Sequence, residues 1–110
     1  MVTAETAVVL PVLLLVLAGA VAAVTVIGAH LRCVDAVREG ARAAARGEDV
    51  AVVTEIVGRA APQDAVVTVV MGEDEVRVTV TARIAPLGPV PLQITVSAEA
   101  VAQREPGDGG

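Results

Sequence analysis

Residues Thr6–Ala29 read TAVVLPVLLLVLAGAVAAVTVIGA, and none of these 24 residues carries a formal charge. An α-helix rises ~1.5 Å per residue, so this stretch would be about 36 Å long as a helix. The hydrocarbon core of a bilayer is roughly 30 Å thick. We therefore predict one membrane-spanning helix near the start of the chain, surrounded by membrane lipid.

Three residues within this stretch, Pro11, Gly19 and Ala23, are candidates for shaping and packing the helix. Pro11 removes the hydrogen bond to the carbonyl of Ala7 and predicts a local bend, which membrane helices tolerate. Gly19 and Ala23 are four residues apart, a spacing that lets two membrane helices approach closely. The alternative is that small residues are simply abundant in this part of the chain.

A single acid, Glu5, stands immediately before the apolar stretch. One interpretation is a helix-start acid at the membrane interface, where the helix dipole favours a negative charge. The other is an acid that enters the bilayer. A lone carboxylate there costs about 2.5–3.5 kcal/mol on insertion scales, so in that case Glu5 must find a partner.

The next residues, 30–47, read HLRCVDAVREGARAAARG and keep a helical period with charges between the apolar positions. We predict one helix over about residues 3–46, ended by Gly47. Charged side chains at spacings of three and four are expected to form ion pairs: Asp35, Arg38, Glu39 and Arg42.

The basic side chains of Arg38, Arg42 and Arg46 also form a stripe along this helix. The simplest interpretation is a solvated face. The alternative is a contact for lipid headgroups or for a neighbouring subunit.

The distal part of the chain predicts a short helix and three strands. The segment VAVVTEIVGRAA follows Glu48 and Asp49 and ends before Pro62. After it, the apolar period changes from helical to alternating, as in strands with one buried face. The predicted strands are Val66–Met71, Val76–Ile84 and Leu92–Ala100. We expect a small antiparallel sheet with the short helix on its apolar face.

The expected fold class is α+β: a long N-terminal transmembrane α-helix followed by a short helix and a small three-stranded antiparallel sheet. We expect a transmembrane and juxtamembrane helix over residues 1–47, a small α+β domain over 48–102 and a disordered tail over 103–110. With 110 residues, the chain has room for at most one small domain beside the membrane helix. Because it has no aromatic residue, the core must consist of Val, Ala, Leu and Ile.

Composition argues against catalysis and nucleic-acid binding. The chain has one His, one Cys and one Ser, too few to argue for a nucleophilic triad. Residues 47–110 carry four Arg against ten acids and offer no aromatic ring to stack on a base. His30 and Cys33 would supply only two ligands to a metal. We expect no enzyme activity, no cofactor, no metal and no nucleic-acid partner. Cys33 leaves an intermolecular disulfide as an alternative.

Three features together resemble a known family. They are the start TAETAVVLPVLLLVLAG, the juxtamembrane DAVREGARAAARG and the helix-then-strand distal part. The chain resembles the TadE-like minor pilins, or pseudopilins, of tight-adherence (Flp-type) type IV pilus systems. The residues that carry the resemblance are Glu5, Leu10 and Pro11, and the segment Arg38–Arg42.

The resemblance implies a structural subunit that assembles into or primes a pilus or a related secretion apparatus. In such families a prepilin peptidase cuts after a glycine, and an acid is the fifth residue of the mature chain. Glu5 has that position if Met1 is the first mature residue. The resemblance then implies that Glu5 pairs with the N-terminal amine of a neighbouring subunit. The implied partners are other pilin subunits, the pilus assembly machinery and a prepilin peptidase.

The membrane topology has two conflicting indications. Four Arg follow the apolar stretch closely and none precedes it, which predicts a cytoplasmic C-terminus by the positive-inside rule. The resemblance implies the opposite. We expect a single-pass membrane protein with an extracytoplasmic C-terminal domain, incorporated in a pilus if assembly occurs.

Two other functions fit parts of the sequence. One is a secreted binding module with a cleaved signal peptide, since Ala18–Ala20 and Ala20–Ala22 fit an A-x-A cleavage site. The other is a single-span regulatory subunit that packs against other membrane helices through Gly19 and Ala23.

Overall fold

The computed structural model describes residues 2–103, so Met1 and residues 104–110 of the expected tail lie outside it. The observed elements are α1 (Val2–Ala45), α2 (Val50–Ala60), β1 (Val66–Met71), β2 (Glu75–Ile84) and β3 (Ile94–Gln103). The described residues extend over 81 × 19 × 17 Å, because most of α1 projects from the small sheet. This arrangement confirms the α+β fold class.

The sheet has the strand order β1-β2-β3, and both pairs are antiparallel. The central strand, β2, pairs Thr81 with Val66 on one side and Ile84 with Ile94 on the other. As the alternation predicts, every second side chain of β2 is buried, so one face of the strand lies in the core. The buried side chains are Val76, Val78, Val80 and Ala82. The opposite face is polar, with Arg77 Nε 2.9 Å from a carboxylate oxygen of Glu99.

Helix α1 covers this sheet over its second half. The buried side chains on this face of α1 are small or slender: Ala29, Cys33, Ala36, Val37, Ala43 and Ala44. Small side chains let a helix lie close to a sheet, so α1 packs on β2 and β3 while α2 lies against α1 and β1. The short helix thus lies at the sheet, as expected, but the second half of α1 shares this face with it, which the sequence did not predict. The membrane helix and the sheet share one core.

The turn after α1 confirms the role expected of Gly47. Its φ is +88°, a left-handed conformation that glycine adopts without steric cost. In this conformation the N–H of Gly47 donates to the carbonyl of Ala44 at 3.0 Å, and the N–H of Glu48 donates to that of Ala43 at 3.1 Å. These two bonds are the Schellman pattern, which satisfies the last carbonyls of a helix.

The third strand differs from its expected bounds at both ends. It begins at Ile94, and Leu92 is 44% exposed rather than inside. Leu92 follows the proline-rich segment PLGPVP, whose prolines lack the N–H that a ladder needs. At the other end, β3 continues to Gln103 because this residue pairs with Glu75 of β2. Gln103 thus belongs to the sheet and not to the tail that was expected to start there.

Candidate membrane and assembly surface

Residues 3–25 of α1 form an apolar arm that the other described residues do not bury. The segment Thr3–Ala45 is long and apolar enough to span a membrane, and its most hydrophobic window has no buried residue. Large apolar side chains stand at least half exposed all along this arm, including Val8, Leu10, Leu13, Leu15, Leu17 and Val24. A continuous apolar surface of this kind requires lipid or other helices around it.

Glu5 lies at the outer end of this arm, in the first turn of α1. Its side chain is exposed, and no ion pair joins it to another residue within 2–103. Met1, the other residue of the expected processing and assembly site, lies outside the described residues. A carboxylate at the end of a bare apolar helix is available to a positive charge on another molecule.

The three expected packing residues, Pro11, Gly19 and Ala23, lie on the same arm and are all exposed. Pro11 stands inside α1 without ending it. At Gly19, an added Cβ would meet none of the described atoms within 4 Å, so no contact within residues 2–103 requires a glycine there. Their role in packing against other helices remains a prediction.

Gly40, in the middle of the Arg38–Arg42 segment, has a packing role that was not predicted from the sequence. Gly40 is buried, and a Cβ built on it would clash with the Cγ2 methyl of Val57 and lie 3.2 Å from Cγ1 of Val78. The side chains of Val57 and Val78 therefore occupy the space that a Cβ would need, and α1 lies close to α2 and β2 at this point. The available signal was an isolated glycine inside a helical pattern, where glycine costs about 1 kcal/mol relative to alanine.

The charged residues around Gly40 face the opposite way. Arg38, Glu39 and Arg42 are all exposed. The ion pairs expected among Asp35, Arg38, Glu39 and Arg42 do not form. Within residues 2–103, the ion pairs instead join Arg59 to Glu55 and Arg77 to Glu75 and Glu99. The Arg38, Arg42 and Arg46 stripe is thus an exposed basic surface without a carboxylate partner in the described chain.

Cys33 is completely buried in the core between α1 and the sheet. Burial also raises the pKa of its thiol, so the reactive thiolate is disfavoured. An intermolecular disulfide through Cys33, the alternative left open by the sequence, would require the core to open. His30 is exposed while Cys33 faces inward, so the two side chains do not converge on one site.

A cleft lies where the apolar arm enters the distal domain. Its walls come from α1, from the segment after α2 and from the end of β2, and its volume is about 380 Å³. The lining residues are Val24, Thr25, Gly28, Ala29, Arg32, Pro62, Gln63 and Ile84. Sequence reasoning did not find this cleft, because its residues come together only through tertiary packing.

Comparison with known proteins gives two similarities. The model of the TadE-like protein family matches residues 1–42. Over 103 residues the chain is 40% identical to the apoptosis inhibitor Rv3655c of Mycobacterium tuberculosis (strain ATCC 25618 / H37Rv). That alignment covers 94% of this chain and 78% of the relative. No solved structure matches the chain significantly.

Proposed function

The chain belongs to the TadE-like family, and we propose that it is a minor pilin, or pseudopilin, that assembles into or primes a Tad (Flp-type) pilus or a related secretion apparatus. The family is a structural, pilus-associated one, and the apolar helix makes the chain a membrane-anchored subunit of that kind. The observation that carries the finer proposal is the bare apolar arm of α1 with Glu5 at its end.

The arm supports an assembly role because it can exchange one apolar environment for another. In the membrane its side chains contact lipid, and in an assembly they contact the arms of neighbouring subunits. Glu5 gains most from a positive charge in the same low-dielectric place. We propose the N-terminal amine of a neighbouring subunit as that charge, which fixes the axial register because only one stagger brings the two groups together.

Replacing Glu5 with Gln tests this role in cells that produce the pilus. We expect Glu5→Gln to insert into the membrane at the wild-type level but to reduce pilus assembly by about tenfold or more, since a buried ion pair that loses one partner is strongly destabilised. The matched control is Glu39→Gln, which removes the same charge from an exposed position on the distal half of α1. Wild-type pilus numbers with Glu5→Gln would refute the role of Glu5.

Processing is a separate part of the proposal. We propose that a prepilin peptidase leaves Met1 as the first mature residue, which frees the amine that Glu5 needs. The mass of the N-terminal peptide from membrane-extracted protein tests this. A free or methylated amine on Met1 supports the proposal, and an uncut chain that extends further upstream contradicts it.

The proposal also includes an extracytoplasmic distal domain, as pilus assembly requires. Arg32, Arg38, Arg42 and Arg46 favour the opposite orientation by charge alone. Protease treatment of intact and of permeabilised cells distinguishes the two. If the protease digests the distal domain only after the cytoplasm has been made accessible, the proposed orientation is wrong.

A second candidate function comes from the relative, which is named an apoptosis inhibitor. The observation in its favour is that the 40% identity runs over 103 residues and so includes the sheet, beyond the part that the family model matches. If this chain shares that activity, adding the purified protein should lower caspase activity in cells with induced apoptosis. Unchanged caspase activity would exclude this function for the added protein.

A further inference from the structure

The cleft at the base of the distal domain lies at one boundary of the membrane segment. Its wall on α1 runs from Val24 to Arg32, and the uncharged stretch ends between them at Ala29. Arg32 is three residues past Ala29, or about 4.5 Å along a helix. The polar headgroup layer on each side of the hydrocarbon is about 5–7 Å thick. Arg32 therefore stands at headgroup level.

The two ends of the cleft differ in polarity. The wall that α1 contributes ends at Arg32, and Gln63 also lines the cleft; the guanidinium and the side-chain amide of these residues can both donate hydrogen bonds to an anion. Asp35, the acid next along α1, forms no ion pair with Arg32, and among the described residues none of the ion-paired acids is its partner. The guanidinium is thus available to a ligand.

The lower end of the cleft is apolar and continues toward the bilayer. A second hollow of about 260 Å³ lies along α1 and is lined by Ala20, Val21, Val24 and Thr25. It shares Val24 and Thr25 with the cleft. The hydroxyl of Thr25 is already satisfied, since it donates to the carbonyl of Val21 at 2.8 Å. The track below the cleft therefore presents hydrocarbon and small side chains to a ligand.

We propose that this cleft binds one anionic glycerophospholipid of the surrounding membrane. Its phosphate contacts Arg32 and Gln63, and one acyl chain lies over Gly28 and Val24 toward Ala20. The charge of Arg32 complements the phosphate, and the apolar track is continuous with the membrane segment. The inference requires the helix to be in a bilayer but does not depend on the proposed pilus role.

A bound lipid of this kind would fix the depth and the rotation of the distal domain on the membrane surface. A charged guanidinium and a phosphate make short, directional hydrogen bonds, which nonspecific contact with headgroups does not supply. Pro62 and Ile84 close the cleft from the domain side, so the lipid would contact both the helix and the domain.

Native mass spectrometry of the full chain in detergent, titrated with phosphatidylglycerol or with phosphatidylcholine, tests the proposal. We expect a one-to-one adduct with phosphatidylglycerol at concentrations at least about tenfold lower than with phosphatidylcholine. Arg32→Gln should weaken the phosphatidylglycerol adduct about tenfold, as the loss of one charge-assisted contact does. The matched control Arg46→Gln removes the same charge from the far end of α1 and should change binding less than about twofold.

A second pair of variants tests the apolar part of the site. Gly28→Leu fills the cleft, and it should fold normally because a Cβ at Gly28 meets no atom within 4 Å. It should abolish the adduct. Gly58→Leu is the matched control, since Gly58 in α2 has equally open surroundings and does not line the cleft. It should bind lipid like the wild type.

Four outcomes would overturn the proposal. Equal affinity for the two lipids would remove the role of the headgroup charge. Equal losses of phosphatidylglycerol binding in Arg32→Gln and Arg46→Gln would mean that the lipid is attracted by the overall charge of the protein and not by this cleft. Undiminished binding by Gly28→Leu would place the lipid elsewhere. Displacement of the lipid by millimolar inorganic phosphate would show a site for a free anion.

Discussion

At the scale of single residues, the packing around Gly40 explains why a glycine stands among charged residues in the middle of α1. Arg38, Glu39 and Arg42 face outward, whereas Gly40 faces Val57 and Val78. The contact brings together residues from α1, α2 and β2 at one point. The segment that carries the family resemblance therefore has an architectural role here: it lets the long helix lie directly on its own domain.

We predict that Gly40→Ala destabilises the protein. Alanine is about 1 kcal/mol better than glycine in a helix interior. Here the added methyl overlaps Val57 and presses on Val78, and overpacking a close contact costs about 1–3 kcal/mol. We expect a net loss of up to about 2 kcal/mol, measured by urea unfolding of the detergent-solubilised chain followed by circular dichroism.

The control for this prediction is Gly58→Ala. Gly58 is also inside a helix, but an added Cβ meets nothing within 4 Å. The same substitution should stabilise the protein there by about 0.4–1 kcal/mol. A Gly40→Ala variant as stable as Gly58→Ala would contradict the close approach at Gly40.

At the scale of elements, α1 has two halves with different surroundings. The first has no buried residue over positions 3–25, and the second is part of the core from Ala29 to Ala44. Its buried face uses small residues, which supply little apolar area each but allow the helix to approach the sheet closely. The division at residue 47, expected from the sequence, falls at the end of the helix but not at the edge of the core.

We therefore predict that the sheet needs the second half of α1 to fold. A fragment of residues 26–103 should unfold cooperatively in urea. A fragment of residues 48–103 should not, because it lacks the buried side chains of α1 and leaves one face of β2 and β3 in water. Amide dispersion in NMR spectra distinguishes the two. A well-dispersed spectrum from the shorter fragment would show that residues 48–103 form an independent domain.

At the scale of the whole molecule, the distal domain limits how far α1 can enter a membrane. Packing against the core begins at Val26 and Ala29. The bare segment before this point, Thr6–Thr25, has 20 residues, none of which is buried, and makes about 30 Å of helix. The uncharged stretch continues to Ala29, and with Arg32 at headgroup level on the near side of the membrane we expect Glu5 at the far interface.

We predict that the emission wavelength of single introduced tryptophans in lipid bilayers reports this placement of α1. The chain has no Trp, so each introduced one is the only reporter. Leu15 lies near the middle of the bare segment. The tryptophan of Leu15→Trp should therefore emit at shorter wavelength, and lipids brominated deep in their acyl chains should quench it strongly. Ile27→Trp is about 18 Å further along the helix and should emit at longer wavelength. The same emission from both would contradict the proposed depth of α1 in the bilayer.

The local features of this protein follow from its sequence alone. The uncharged run of 24 residues predicted the helix that can span a membrane, and the alternation in Val76–Ile84 predicted a strand with one buried face. Gly47 marked the end of the long helix. These features depend on properties of neighbouring residues, namely charge, period and backbone conformation, and such properties can be read along a chain.

Which surfaces meet became visible only in the folded chain. Folding places the second half of α1 on the sheet, gives Gly40 its role and leaves Arg38 and Arg42 without the expected ion pairs within residues 2–103. It also forms the cleft beside Arg32. The physical reason is that each of these depends on distances between residues far apart in the sequence. Those distances are set by how closely small side chains allow the elements to pack.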